Sequence, residues 1–156
     1  MVTLPVPPSS GSASAPREWA VLPYDLRFPS DVRFVERAVE LVVNRCRSAG
    51  FPAHALAFNV RVALTEALSN AILYGNCEDE SKAVRVTANL TDAGLVLEVY
   101  DHGTGFNLDA CTNDPTRLEN LLREDGRGLF LMQRLMDRVE QISNGHNMVR
   151  LTLRRT

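Results

Sequence analysis

Between Leu56 and Ile72 the apolar positions fall at Leu56, Val60, Ala63, Leu64, Ala67, Leu68, Ala71 and Ile72. Steps of three and four residues set them on one side of a helix, so the pattern predicts one buried stripe. Pro52 supplies the start of that helix and Gly75-Asn76 its end. A second line, Asn59, Ala63, Glu66 and Asn70, runs along the edge of the stripe. Glu66 and Asn70 are one turn apart and point the same way. Two further helices follow from the same period. Val32, Val35, Ala38, Val39 and Val42 come after Pro29-Ser30-Asp31 and stop at Gly50. Leu129, Met132, Leu135 and Met136 follow Gly126-Arg127-Gly128.

Period two marks the strands. Residues 19–28 alternate loosely and are rich in strand formers, which predicts an edge strand. Val84, Val86, Ala88 and Leu90 alternate with Arg85, Thr87 and Asn89, a strand with one wet face. A tight turn at Thr91 to Gly94 leads into Leu95, Leu97 and Val99, the partner strand of a hairpin. A second hairpin joins residues 139–142 to 148–153 through Asn144-Gly145. Arg150, Arg154 and Arg155 read as the wet face of an edge strand. Residues 106–125 carry one weak helical patch, at Leu118, Leu121 and Leu122. A connection of that length inside a small domain is commonly functional, and often a lid.

The elements sum to an α/β two-layer sandwich: a mixed, mainly antiparallel sheet with three helices on one face. Residues 1–17, rich in Pro, Ser, Gly and Ala, bury too little apolar surface to offset their ordering entropy and read as a flexible tail. Residues 18–156 read as one domain, long enough for a real core. The net charge of -2 gives no general attraction to nucleic acid or to anionic membranes. No apolar run approaches the roughly 20 residues of a spanning helix. Cys46, Cys77 and Cys111 are odd in number and irregular in spacing, which suits a reducing cytosol and suggests neither a disulfide framework nor a zinc site. His54, His102 and His146 are too scattered to form a metal site.

Three short signals carry candidate chemistry. Glu66 and Asn70 place an acid and an amide beside a buried stripe, though a solvated edge would read the same. Asp101-His102-Gly103-Thr104-Gly105 ends a strand. A carboxylate there can accept from an exocyclic amine such as adenine's, and Gly103 and Gly105 let backbone approach a flat ligand. Taken alone, D-x-G-x-G is more often an ordinary turn. Gly126-Arg127-Gly128-Leu129 opens a helix, where unpaired N–H groups attract phosphate and Arg127 adds charge. A hinge with a solvated arginine has the same sequence.

The order of these signals is more specific than any one of them. It resembles the GHKL, or Bergerat-type, ATP-binding domain, and within it the anti-sigma serine kinase branch. The resemblance rests on Glu66-Ala67-Leu68-Ser69-Asn70-Ala71 with Tyr74-Gly75-Asn76, on Asp101-His102-Gly103-Thr104-Gly105-Phe106, and on Gly126-Arg127-Gly128-Leu129 with Leu135-Met136-Asp137. It implies that Asn70 holds Mg²⁺ on the ATP phosphates and that Glu66 is the general base toward an incoming serine or threonine hydroxyl. By the same resemblance Asp101 reads the adenine amine, and Gly103 and Gly105 line the base pocket. Gly126, Arg127, Gly128 and Leu129 would close over the phosphates. One departure stands out. The family often has a Gly-Thr pair at the start of its last strand, where this chain reads Gly145-His146-Asn147-Met148-Val149, and Asn147 stands as the candidate substitute.

The function so implied is an ATP-dependent serine/threonine protein kinase and anti-sigma factor. It would phosphorylate a STAS-domain anti-anti-sigma protein and sequester a sigma factor, acting as a cytoplasmic homodimer. A nucleotide-gated binding module without turnover is the first alternative. A histidine-kinase-type catalytic domain is the second, and the chain lacks room for the phospho-accepting helix pair that would need.

Overall fold

A computed structural model describes residues 22–102, 128–143 and 146–154. The expected tail, Gly103, Gly105, the long connection, Gly126, Arg127 and the Asn144-Gly145 turn lie outside the described residues. In chain order the elements are β1 (Tyr24–Pro29), α1 (Val35–Ser48), α2 (Ala53–Gly75), β2 (Ala83–Thr91) and β3 (Gly94–Asp101). Then come α3 (128–135), β4 (Arg138–Ser143) and β5 (Asn147–Leu153).

The five strands run in the order β1-β2-β3-β5-β4. All four pairings are antiparallel, so the mixed component of the expected sheet does not occur among the described residues. The expected edge strand is β1, which begins at Tyr24. Arg150, expected on an edge, lies on an inner strand, because β4 folds back outside β5. Alternation decides the two faces. Leu26, Phe28, Val84, Val86, Leu95, Leu97, Val99 and Leu151 point toward the helices and are buried. They pack against Val39 and Val42 of α1, Leu64, Leu68 and Ile72 of α2, and Met132 of α3 in one core. The opposite face carries an ionic row. Arg85 Nη2 meets Asp25 Oδ2 at 2.6 Å, Arg150 Nε meets Glu98 Oε2 at 2.9 Å, and Arg150 Nη1 meets Glu140 Oε1 at 3.7 Å. Such partly exposed pairs each contribute at most about 1 kcal/mol.

α2 is the element that positions the site. It runs 23 residues and is apolar enough, by length and composition, to cross a membrane. Its stripe of Leu56, Val60, Leu64, Leu68 and Ile72 is instead wholly buried against the sheet. Two wide, π-type turns interrupt it, at Leu56–Val60 and Ala71–Gly75. Such turns shift the face a helix presents and recur at functional sites. At the end, the Asn76 N–H reaches Ala71 O at 2.8 Å and the Glu78 N–H reaches Ile72 O at 2.7 Å. Cys77 and Glu78 take positive φ, which closes the helix as a left-handed cap. Cys77 is disulfide-bonded, whereas Cys46 is a buried free thiol. That corrects the expectation of no disulfide: spacing along a chain does not reveal a pair that folding brings together.

Candidate functional site

The polar line beside the α2 stripe faces α3. Asn59 donates from Nδ2 to Leu135 O at 2.8 Å, satisfying a carbonyl of the last turn of α3. At the other end of α3, Gly128 lies against Glu66 and Asn70. A Cβ placed on Gly128 would sit 2.8 Å from Glu66 Oε2 and 3.5 Å from Asn70 Nδ2. The two helices are therefore antiparallel, and the glycine is what lets the start of α3 approach the acid and the amide. Glu66, Asn70 and Gly128, expected together, are brought together. Leu129 follows at the mouth and is 43% exposed.

Asn70 is 6% exposed, and its Nδ2 is buried without a hydrogen-bond partner among the described residues. A buried amide left unpaired costs on the order of 1–3 kcal/mol. Beside it is a cavity of about 220 Å³ lined by Ala67, Asn70, Leu129, Met132, Val139, Gln141 and Val149. It is mostly apolar and suits a flat ring rather than a whole triphosphate.

Asp101 ends β3 and is 5% exposed. It packs directly on Gly75, where a Cβ would collide with its carboxylate. Asn147, opposite Asp101 in the β3–β5 register, donates from Nδ2 to Asp101 Oδ2 at 3.1 Å. The Asn147 oxygen takes Gln141 Nε2 at 3.4 Å and Ser143 Oγ at 3.3 Å. Gln141 thus belongs both to the cavity beside Asn70 and to the network around Asp101. The next residue is anchored too. The His102 N–H donates to Asn76 Oδ1 at 2.7 Å, while Asn76 Nδ2 donates to Ser30 Oγ at 2.8 Å and to Ala83 O at 3.2 Å. The start of the glycine loop is thereby tied to the end of α2.

Sequence reasoning missed the roles of Asn59, Gly75, Asn76 and Gln141. Their signal was weak: an amide on the helix edge, a Gly-Asn helix end and a polar residue inside a strand. The three histidines are exposed, with His102 and His146 side by side and His54 at the start of α2, and no group of three or more metal-ligating His, Cys, Asp or Glu side chains occurs among the described residues. A second hollow of about 230 Å³, lined by Arg27, Arg85, Tyr100, Asp101, His102 and His146, opens on the outer face of the sheet. None of Glu66, Asn70 or Gly128 lines it.

A family model described as the histidine kinase-like ATPase domain matches residues 28–153. Among similar proteins are the anti-sigma F factors of Bacillus thuringiensis (strain Al Hakam), Bacillus mycoides (strain KBAB4) and Bacillus cereus (strain AH187). Each is 33% identical over 86 residues, which is 54% of this chain. The matched stretch spans 59% of the length of each relative.

Proposed function

The chain belongs to the histidine kinase-like ATPase domain family, and from that premise we propose that it is an ATP-dependent serine/threonine protein kinase and anti-sigma factor. Its phospho-acceptor is a STAS-domain anti-anti-sigma protein, and the partner it sequesters is a sigma factor. It works as a homodimer in the cytoplasm. The observation that carries the reading is the meeting of Glu66, Asn70 and Gly128 around an unpaired buried amide. The name of the Bacillus relatives supports the sigma-factor half of it.

The residues suit Mg-ATP. Asn70 Nδ2 is a buried polar atom lacking a protein partner, and the two ends of a carboxamide exchange by a flip, which would turn the oxygen to that place. Mg²⁺ takes few protein ligands and prefers substrate phosphates and water, so one carboxamide oxygen is an adequate anchor. Asn70 would hold the ion, which would supply charge neutralisation at the phosphates. Gly128, at the start of the described part of α3, lies against the same two side chains, and a helix start there would favour an anion. Asp101 does not line the apolar cavity but is linked to it through Asn147 and Gln141, and it would accept from the amine of an adenine ring seated there. Glu66, half-buried one turn before Asn70, accepts the proton of the attacking hydroxyl and holds it while the phosphoryl group moves. Phosphoryl transfer depends mostly on positioning and charge neutralisation, and this arrangement supplies both.

The test is a mixture of the protein, Mg-ATP and a STAS-domain partner. Glu66→Ala should abolish transfer, by about 10²–10⁴-fold, while ATP binding persists. Sigma binding without transfer to any partner would favour the binding module instead. Label appearing on a histidine of the chain itself would favour the histidine-kinase reading.

A further inference from the structure

The hydrogen bonds around Asp101 carry one step more. Asn147 and Asp101 face each other at the end of the sheet, and both are almost wholly buried. An amide can present either its oxygen or its nitrogen, and which one is settled by its neighbours. Here Gln141 and Ser143, both on β4, donate to the Asn147 oxygen. Its nitrogen must then face Asp101, because the reverse would set an oxygen against a carboxylate. Gly75 closes the other side of that carboxylate with no side chain of its own. A threonine would offer Asp101 one rotatable hydroxyl. The amide offers a flat donor fixed by two further contacts.

We propose that Asn147, oriented by Gln141 and Ser143, is a positioning residue for purine selectivity: it holds the Asp101 carboxylate toward the amine of the bound base. The proposal rests on the ATP-binding reading above. Asn147 acts through Asp101, so its effect depends on a base that carries an exocyclic amine. A purine with hydrogen at that carbon makes no bond to Asp101 and should not sense the amide.

The experiment is calorimetric titration of the full chain with Mg-ATP and with the Mg complex of purine riboside triphosphate, which lacks the amine. For the native protein, ATP should bind about tenfold or more tightly than the analogue, as expected for a hydrogen bond to a charged group. Asn147→Leu should weaken ATP about tenfold and the analogue less than twofold, and Asn147→Thr should recover most of the loss. A general structural role would weaken both nucleotides alike, and that result overturns the proposal. So does an unchanged ATP affinity. Should Asn147→Leu not fold, Ser143→Ala, which lies outside the cavity lining, frees the amide from one of its two contacts while keeping it. ATP should then weaken about threefold with the analogue unchanged, and equal losses or none overturn the proposal. A native protein that binds neither nucleotide fails the ATP-binding reading itself.

Discussion

Asn76 and Asn70 sit six residues apart near the end of the same helix, and both are buried amides. Asn76, 1% exposed, makes a hydrogen bond from each end of its side chain and ties together β1, β2 and the start of the glycine loop. Asn70 leaves its Nδ2 unpaired beside a cavity. Buried polar groups in folded proteins are paired almost without exception, and each exception asks for a cause. The same residue type therefore does two jobs. One amide is scaffold, placed where the fold needs donors and acceptors. The other is left with an unpaired donor beside a cavity, which the proposed function reads as a place for metal-nucleotide. The wide turn at Ala71–Gly75 separates the two environments.

The contrast can be broken by substitution, and the largest effect should fall on the scaffold amide. Asn76→Ala takes the Asn76 partner from the His102 N–H, the Ala83 carbonyl and Ser30 Oγ, the last of which keeps its bond to Lys82 O. It should cost about 3 kcal/mol in denaturant unfolding. Asn70→Ala removes an amide whose Nδ2 is already unpaired and should change stability by less than about 1 kcal/mol. Equal losses at the two positions would dissolve the distinction. Next in size is Gly75→Ala, which drives a methyl into the Asp101 carboxylate and should cost about 2 kcal/mol. It should also weaken ATP, since Asp101 is displaced.

The scaffold side also holds Cys46 in the core face of α1. Burial pushes its thiol from an ordinary 9.0 up to about 12. The folded state therefore holds this proton more tightly than the unfolded chain does. That contribution is complete below pH 9 and is lost as pH rises toward 12, on the order of 1 kcal/mol by pH 10. Comparing alkaline unfolding of the native protein with Cys46→Val isolates it, because the tyrosines titrate in both. Smallest is Arg150→Ala on the outer face, which should shift unfolding by less than about 1 kcal/mol despite contacts to Glu98 and Glu140.

Much of this was legible in the sequence. The three helical stripes and two hairpins follow from period 3.6 and period 2, because burial on one face leaves that pattern whatever the partner is. Glu66, Asn70 and Gly128 were legible as candidates, since their spacing from helix starts and ends is local. The partners that make the site were not. Asn59 reaching Leu135, and Gln141 and Ser143 turning Asn147, depend on register between distant elements. Strand order was also hidden: nothing local in β5 says that β4 will lie outside it.

The central claim is that the unpaired amide of Asn70 is a metal-nucleotide anchor, and one measurement tests it directly. ATP is titrated into the native protein and into Asn70→Ala by calorimetry, with and without magnesium, after confirming that both unfold at the same denaturant concentration. The account predicts magnesium-dependent binding to the native protein that falls by at least about a hundredfold in Asn70→Ala, a loss of roughly 2.7 kcal/mol. Equal, magnesium-dependent affinity in the two folded proteins would contradict it.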